Sequence, residues 1–365
     1  MQQEYVIRPA TGADREAVQD LVAEMWGRDM RARHEWLYRH NPHGEALTWV
    51  AEEAAGDRGI VAVTSVFPRR FRVGGRERKG SLGGDCYVLP RARRRGLATR
   101  LHKATFASMR ALGGVGFMVG PPRPNNLAAL VKAGSHETTV FRRWTRPLTG
   151  DAAVRMIARR PACRPLAVFG AAAETALRWF DRAHVGAPRV TLELLHSLPR
   201  DAGSVLDAID RGQGDDHVVA VRDPEWVTWR YFAGPTRTQR FYGVREHGEL
   251  AGFLVLEVQG GRAILVDVAL PAASALLDGA LDAAVREARS LGAEILDANF
   301  TPGTPVAGRL GRRAFVGRET RGFQVAFADD YDPDASDALL RSAWAFSDGD
   351  KDRDTSFLLD PPGPA

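Results

Sequence analysis

Arginine and glycine meet at one point of this 365-residue chain in a way that suits phosphate. Five arginines fall between Arg91 and Arg100, with Gly96 and Ala98 among them. The apolar stretch Cys86-Tyr87-Val88-Leu89-Pro90 feeds this segment, and an uninterrupted helical pattern from Leu97 to Leu112 leaves it. That order sets the unpaired backbone N–H groups of a helix N-terminus, at the positive end of its dipole, beside several guanidinium groups. Successive N–H groups can converge on a pyrophosphate. Gly96 lets the backbone approach closely, and arginine adds charge-assisted, bidentate contacts at the rim. Coenzyme A, with a pyrophosphate and a 3′-phosphate on a long flexible arm, is the ligand this arrangement suits. A triphosphate loop is excluded, because the sequence has no G-x-x-x-x-G-K followed by Ser or Thr, and no G-x-G-x-x-G stands at this position.

Other residues offer less. Asp85 is the only carboxylate on the strand entering the arginine segment. It is the candidate general base for transfer to an amine, acting directly or through water, against an alternative role as partner of nearby arginines. Cys86 has no evident histidine partner and reads as a structural thiol. Tyr38 and His40 could face a cleft, although the recurrence of Trp229-Arg230-Tyr231 favours structural anchors. Asp348-Gly349-Asp350-Lys351-Asp352 begins like a calcium loop and then departs from it, with Arg353 at the sixth position and Leu359 at the twelfth. Cys86 and Cys163 provide neither a disulfide framework nor metal-ligand spacing.

The elements that must position these groups follow from periodicity. Tyr5–Arg8, Thr48–Glu53, Ile60–Phe67, Phe71–Val73 and the segment ending at Leu89 read as strands. A helix follows Asp14, and a shorter one carries Trp36-Leu37-Tyr38 and stops before Asn41-Pro42. Val115–Val119 reads as a buried strand, Asn125-Asn126 caps a helix ending at Gly134, and Thr138–Arg142 is a further strand. The Ala/Arg-rich stretch from Asp151 to Gly186, broken at Pro161 and Pro165, reads as a helical connector. The pattern then recurs. Val190–Leu195, a helix at Ala202–Ile209, Glu225–Tyr231 and the strands Arg240–Val244, Ala251–Val258 and Ala263–Leu270 repeat the first half in outline. A helix (Ser274–Leu291), strand Glu294–Ala298, a short helix (Thr304–Leu310) and strand Gly322–Phe327 complete the copy. The expected organisation is 1–147, a connector at 148–187, a second copy at 188–328 and a loosely structured acidic tail at 329–365.

Composition sets the bounds. The chain is 44% hydrophobic and 26% charged, as expected of a globular protein with room for more than one core. Its net charge of +5 rests on arginine, with lysine only at Lys79, Lys103, Lys132 and Lys351. That bias reads as coding preference, so a nucleic-acid partner is not expected. With neither a signal-peptide pattern nor an apolar run long enough for a membrane span, a cytoplasmic location is expected.

The segment Val88-Leu89-Pro90-Arg91-Ala92-Arg93-Arg94-Arg95-Gly96-Leu97-Ala98-Thr99-Arg100-Leu101 resembles the acyl-CoA-binding motif of the GNAT superfamily of N-acetyltransferases. Pro124-Asn125-Asn126 ahead of a helix ending in Gly134 is similar to that superfamily's next motif. The second half resembles the same fold without the motif, since Leu270-Pro271 leads into Ala272-Ala273-Ser274-Ala275-Leu276. The resemblance therefore implies an α/β (α+β) protein of two GNAT-like domains, each a mixed central sheet flanked by helices, the second degenerate. It implies that Tyr87 and Val88 lie along the pantetheine arm of acetyl-CoA or another acyl-CoA. Arg93, Arg94, Arg95, Gly96, Leu97, Ala98 and Thr99 would wrap the pyrophosphate, and Asn126 would sit near the pantetheine or the departing thiol. The tyrosine acid frequent in the family is replaced by Ala129-Leu130-Val131, and its glutamate base is not evident. The implied activity is acyl transfer to a small-molecule amine such as an amino sugar, amino acid or natural-product intermediate. A FemABX-like aminoacyl-tRNA-dependent transferase and a non-catalytic acyl-CoA-binding module are the alternatives.

Overall fold

The computed structural model describes residues 5–54, 59–158, 169–184, 190–212, 214–236, 238–272 and 274–353. The breaks expected at Pro161 and Pro165 lie outside them. The first half contains β1 (Tyr5–Pro9), α1 (Arg15–Trp26), α2 (Arg31–His34, continuing as a wider turn through Arg39), β2 (Leu47–Glu53), β3 (Ile60–Val73) and β4 (Arg76–Val88). It continues with α3 (Leu97–Gly113), β5 (Phe117–Gly120), α4 (Pro124–Ala133) and β6 (His136–Pro147). Helices α5 (Gly150–Ala158) and α6 (Gly170–His184) connect it to the second half. There follow β7 (Val190–Leu195), α7 (Ala202–Arg211), β8 (His217–Ala220), α8 (Pro224–Phe232), β9 (Gln239–Glu246), β10 (Glu249–Gln259) and β11 (Arg262–Ala269). The chain ends with α9 (Ser274–Ser290), β12 (Ile295–Phe300), α10 (Ala307–Leu310), β13 (Val316–Phe327), α11 (Pro333–Arg341) and β14 (Ala343–Ala345).

The strands form one continuous mixed sheet in the order β1-β2-β3-β4-β5-β13-β6-β12-β11-β10-β9-β7. Its centre is an exchange: β13 of the second half pairs with β5 of the first, and β6 of the first pairs with β12 of the second. This explains why β6 and β13 run longer than their apolar cores suggested, since each has a partner on both edges. Ile60–Phe67 and Phe71–Val73 also merge into one strand. Pro68 lacks an N–H yet is accommodated in register with Ser81, and its carbonyl accepts from the Asn41 side chain at 2.8 Å.

The halves meet across two equivalent tryptophans. Trp36 and Trp229 stack with ring centroids 4.5 Å apart, and each indole N–H donates to the other's backbone carbonyl at 3.0 Å. A feature that sequence patterning did not reveal is the packing of residues 329–353 of the acidic tail. Trp344 and Phe346 are 1% exposed in the first-half core, and β14 adds to β8. The tail is anchored where Asp350 accepts from Arg222 at 2.8 Å and Arg69 at 3.3 Å.

Candidate active site

A cleft opens in the first half because β4 and β5 part. They pair only at Ser81↔Met118 and Leu82↔Val119, so from Gly83 to Val88 the β5-facing edge of β4 has no ladder partner. A β-bulge adds to the divergence: Asp85 and Cys86 together oppose Thr64, and Asp85 adopts a left-handed φ of 46°. The resulting cavity is about 720 Å³ and is lined along one wall by Gly83 to Val88. Its counterpart in the second half is only about 40 Å³, packed by Leu270, Leu277, Phe300, Val306 and Phe346.

The arginine segment stands at one end of the cavity. Arg94 and Gly96 have φ of 63° and 74° immediately before α3, a repeated left-handed turn of the kind that can gather successive N–H groups around an anion. No side chain caps that helix, so its first N–H groups remain available. Arg93, Arg94, Gly96, Leu97, Ala98 and Thr99 all line the cavity. Leu97 contributes backbone only, since its side chain is buried in the core under α3. Arg93 is fixed by donating from Nε to the Val88 carbonyl at 3.0 Å, with its guanidinium 5.7 Å from the Tyr87 ring centroid. Arg95 is the exception among the expected residues. It turns away to lie 5.8 Å from the Tyr5 ring centroid and is not part of the cavity wall. Asn126 lines the opposite side, where its Oδ1 contacts Nε2 of buried His102 at 3.0 Å. Burial lowers the His102 pKa, so the neutral ring holds the Asn126 amide in place.

Asp85 is engaged. Arg33 donates to it at 2.7 and 3.3 Å, the Tyr38 hydroxyl at 2.8 Å and the Trp26 indole at 3.4 Å. Burial alone would raise its pKa, but the Arg33 charge outweighs this and holds the carboxyl below its ordinary range. Both oxygens are thus occupied in a buried ion pair, the alternative role as an arginine partner that the sequence left open for Asp85. Tyr38 is part of the same anchor, and its counterpart Tyr231 donates to Asp267 at 2.7 Å, beside Arg222. His40 is exposed. Cys86 touches the cavity, and burial pushes its thiol up to about 11, unsuited to a nucleophile.

A second carboxylate lining the cavity at the bulge is Asp352, from the tail. A side chain at Gly84 would overlap its Oδ2 and the Phe67 ring. Arg33 and Arg353 flank Asp352 at 3.7 and 3.9 Å, longer than hydrogen bonds, so its oxygens stay available. Asp352, His102, Arg123 and Trp26 escaped sequence reading. Only the tail's approach across hundreds of residues brings Asp352 here, and the Asp348–Asp352 pattern pointed instead toward a metal loop that it does not complete.

Residues 6–123 match the family described as acetyltransferase (GNAT) domain. This part of the chain is therefore similar to a GNAT domain. The second half repeats the order of strands and helices of the first in outline. Solved structures share the fold across both halves. A probable N-acyltransferase from Enterococcus faecalis aligns with a TM-score of 0.62 at 11% identity, over 90% of this chain and 73% of that one. A GCN5-related N-acetyltransferase from Anabaena variabilis gives 0.61 at 11% identity, over 89% and 73%. A tandem GNAT protein from the clavulanic acid biosynthesis pathway gives 0.50 at 15% identity, over 90% and 100%. At these identities the likeness concerns fold alone. No curated protein matches the sequence. Among the described residues, no helix is long and apolar enough to cross a membrane.

Proposed function

We propose that this chain is a GNAT-type N-acyltransferase whose first half binds acetyl-CoA or another acyl-CoA and transfers its acyl group to the amine of a small molecule. The observation that carries this reading is the 720 Å³ cleft with the left-handed arginine turn at one end and, among the described residues, an unpaired strand edge along its wall. The turn supplies donors and positive charge for a pyrophosphate. The free edge of β4 offers carbonyl and N–H groups to the amides of a pantetheine arm, which brings a thioester to the bulge. There the strained backbone around Asp85 leaves N–H groups for a developing oxyanion. Asp352, the available carboxylate at that point, would take the proton from the attacking amine. The second half, with its counterpart cavity filled and no arginine turn, supports the first through the shared sheet. Calorimetric titration with acetyl-CoA tests the reading: the wild type should bind saturably at one site per chain, and Gly96→Glu and Arg94→Glu should abolish binding. Equal titrations for all three proteins would refute it.

A further inference from the structure

The bulge end of the cleft carries more positive charge than the protein itself balances. The guanidinium groups of Arg33, Arg123 and Arg353 lie 5.6, 5.2 and 5.4 Å from the centroid of one indole, Trp26. Arg33 is taken up by Asp85, and Lys351 is paired with Asp348. Among the described residues, Arg353 keeps a buried Nη1 without a partner, and its Nε stands 3.9 Å from Asp352. Arg123 and, at the mouth, Arg321 have no carboxylate within ion-pair distance among the described residues, yet both line the cavity. Burial lowers Arg353 to about 10, and the neighbouring charges of Arg123 and Arg33 push in the same direction, as expected of cations short of an anion. This cluster is separate from the pyrophosphate turn. Asp85 precedes Leu89 by four strand residues, about 13 Å of extended chain.

We propose that this end of the cleft is a subsite for a carboxylate carried by one of the two reactants, held by Arg123, Arg321 and Arg353 beyond the thioester. The inference rests on the acyl-CoA reading above and narrows its substrate class. A carboxylate here would give the orphaned Arg353 Nη1 an acceptor and offset the charge that Asp352 alone cannot. An α-amino acid fits directly, because its carboxylate is two bonds from its amine. A dicarboxylic acyl group such as succinyl would place the same chemistry on the donor.

Thiol release distinguishes these sources. With acetyl-CoA, amino acids are compared with their own amides; with a neutral amine, succinyl-CoA is compared with acetyl-CoA. At least a 10-fold higher kcat/KM for the carboxylated member of either pair is expected, and the pair that shows it identifies the carrier. Arg353→Gln should erode that preference mainly by raising KM. Arg321→Gln, an exposed position, reports the same change if Arg353→Gln does not fold. Turnover with no preference in either pair would overturn the subsite while leaving the acyl-CoA reading intact. Failure of the wild type to bind either acyl-CoA in calorimetry would overturn the acyl-CoA reading and the subsite with it.

Discussion

Two aspartates 267 positions apart in sequence share Arg33, and the structure gives them opposite duties. Asp85 is enclosed and fully bonded, so Asp85→Asn should act on the fold. It leaves the Arg33 charge buried without its partner, a loss of about 3–5 kcal/mol, visible in thermal unfolding. Asp352→Asn should act on chemistry instead: kcat falls by about 10²–10⁴-fold, while the acetyl-CoA dissociation constant from calorimetry stays unchanged. A kcat within twofold of wild type would remove Asp352 from the reaction. The arginine turn was legible in sequence because its chemistry is local, with strand, glycine and helix start adjacent in the chain. The base was not, because the deciding facts are contacts between residues 33, 85 and 352. Only a folded chain shows which of two carboxylates has spare lone pairs.

At the scale of elements, most strands and helices followed from periodicity, and misreadings cluster where pairing overrides local pattern. Ile60–Phe67 and Phe71–Val73 read as separate strands but form the single strand β3, and Thr138–Arg142 reads as a short strand but is the middle of β6. The tail was missed for a related reason. Asp and Gly spaced through residues 347–352 look solvated, whereas Arg69 and Arg222 both bind the Asp350 carboxylate in the interior. Trp344 then serves as its anchor, packing against Phe71, Phe117 and Phe323. Trp344→Ala should cost about 3–5 kcal/mol, read from the denaturant midpoint. Because the same segment delivers Asp352, the variant should also lose activity before it loses acetyl-CoA binding.

For the whole molecule, the joint between halves is sensitive to acid. His43 Nε2 contacts Asp223 at 2.9 Å, while its Nδ1 accepts from the Arg70 backbone at 3.2 Å and from Arg69 at 3.3 Å. Burial lowers the His43 pKa to about 4, only partly opposed by Asp223, so the ring is neutral when folded. An unfolded histidine titrates near 6.5, so the unfolded chain takes up more protons between those values. Stability is therefore complete above about pH 6.5 and declines toward pH 4, by about 3 kcal/mol in total. Asp223, held below its ordinary range, adds to the loss as pH falls further. Unfolding followed from pH 7 to pH 4 should show this decline, and His43→Gln should flatten it; an unchanged slope in the variant would place the sensitivity elsewhere.

The crossed pair at the centre of the sheet also sets a timetable for making the protein. Strand β5 has no neighbour on its far side until β13 is available, and the cleft lacks Asp352 until the tail follows. At cellular elongation speeds those segments emerge roughly 10–40 s after β5. During that interval the nascent first half carries an open sheet edge and half a binding site. Ribosome-stalled chains ending near residue 300 should therefore fail to retain acetyl-CoA, and completion of the last strand should switch ligand capture on in a single step.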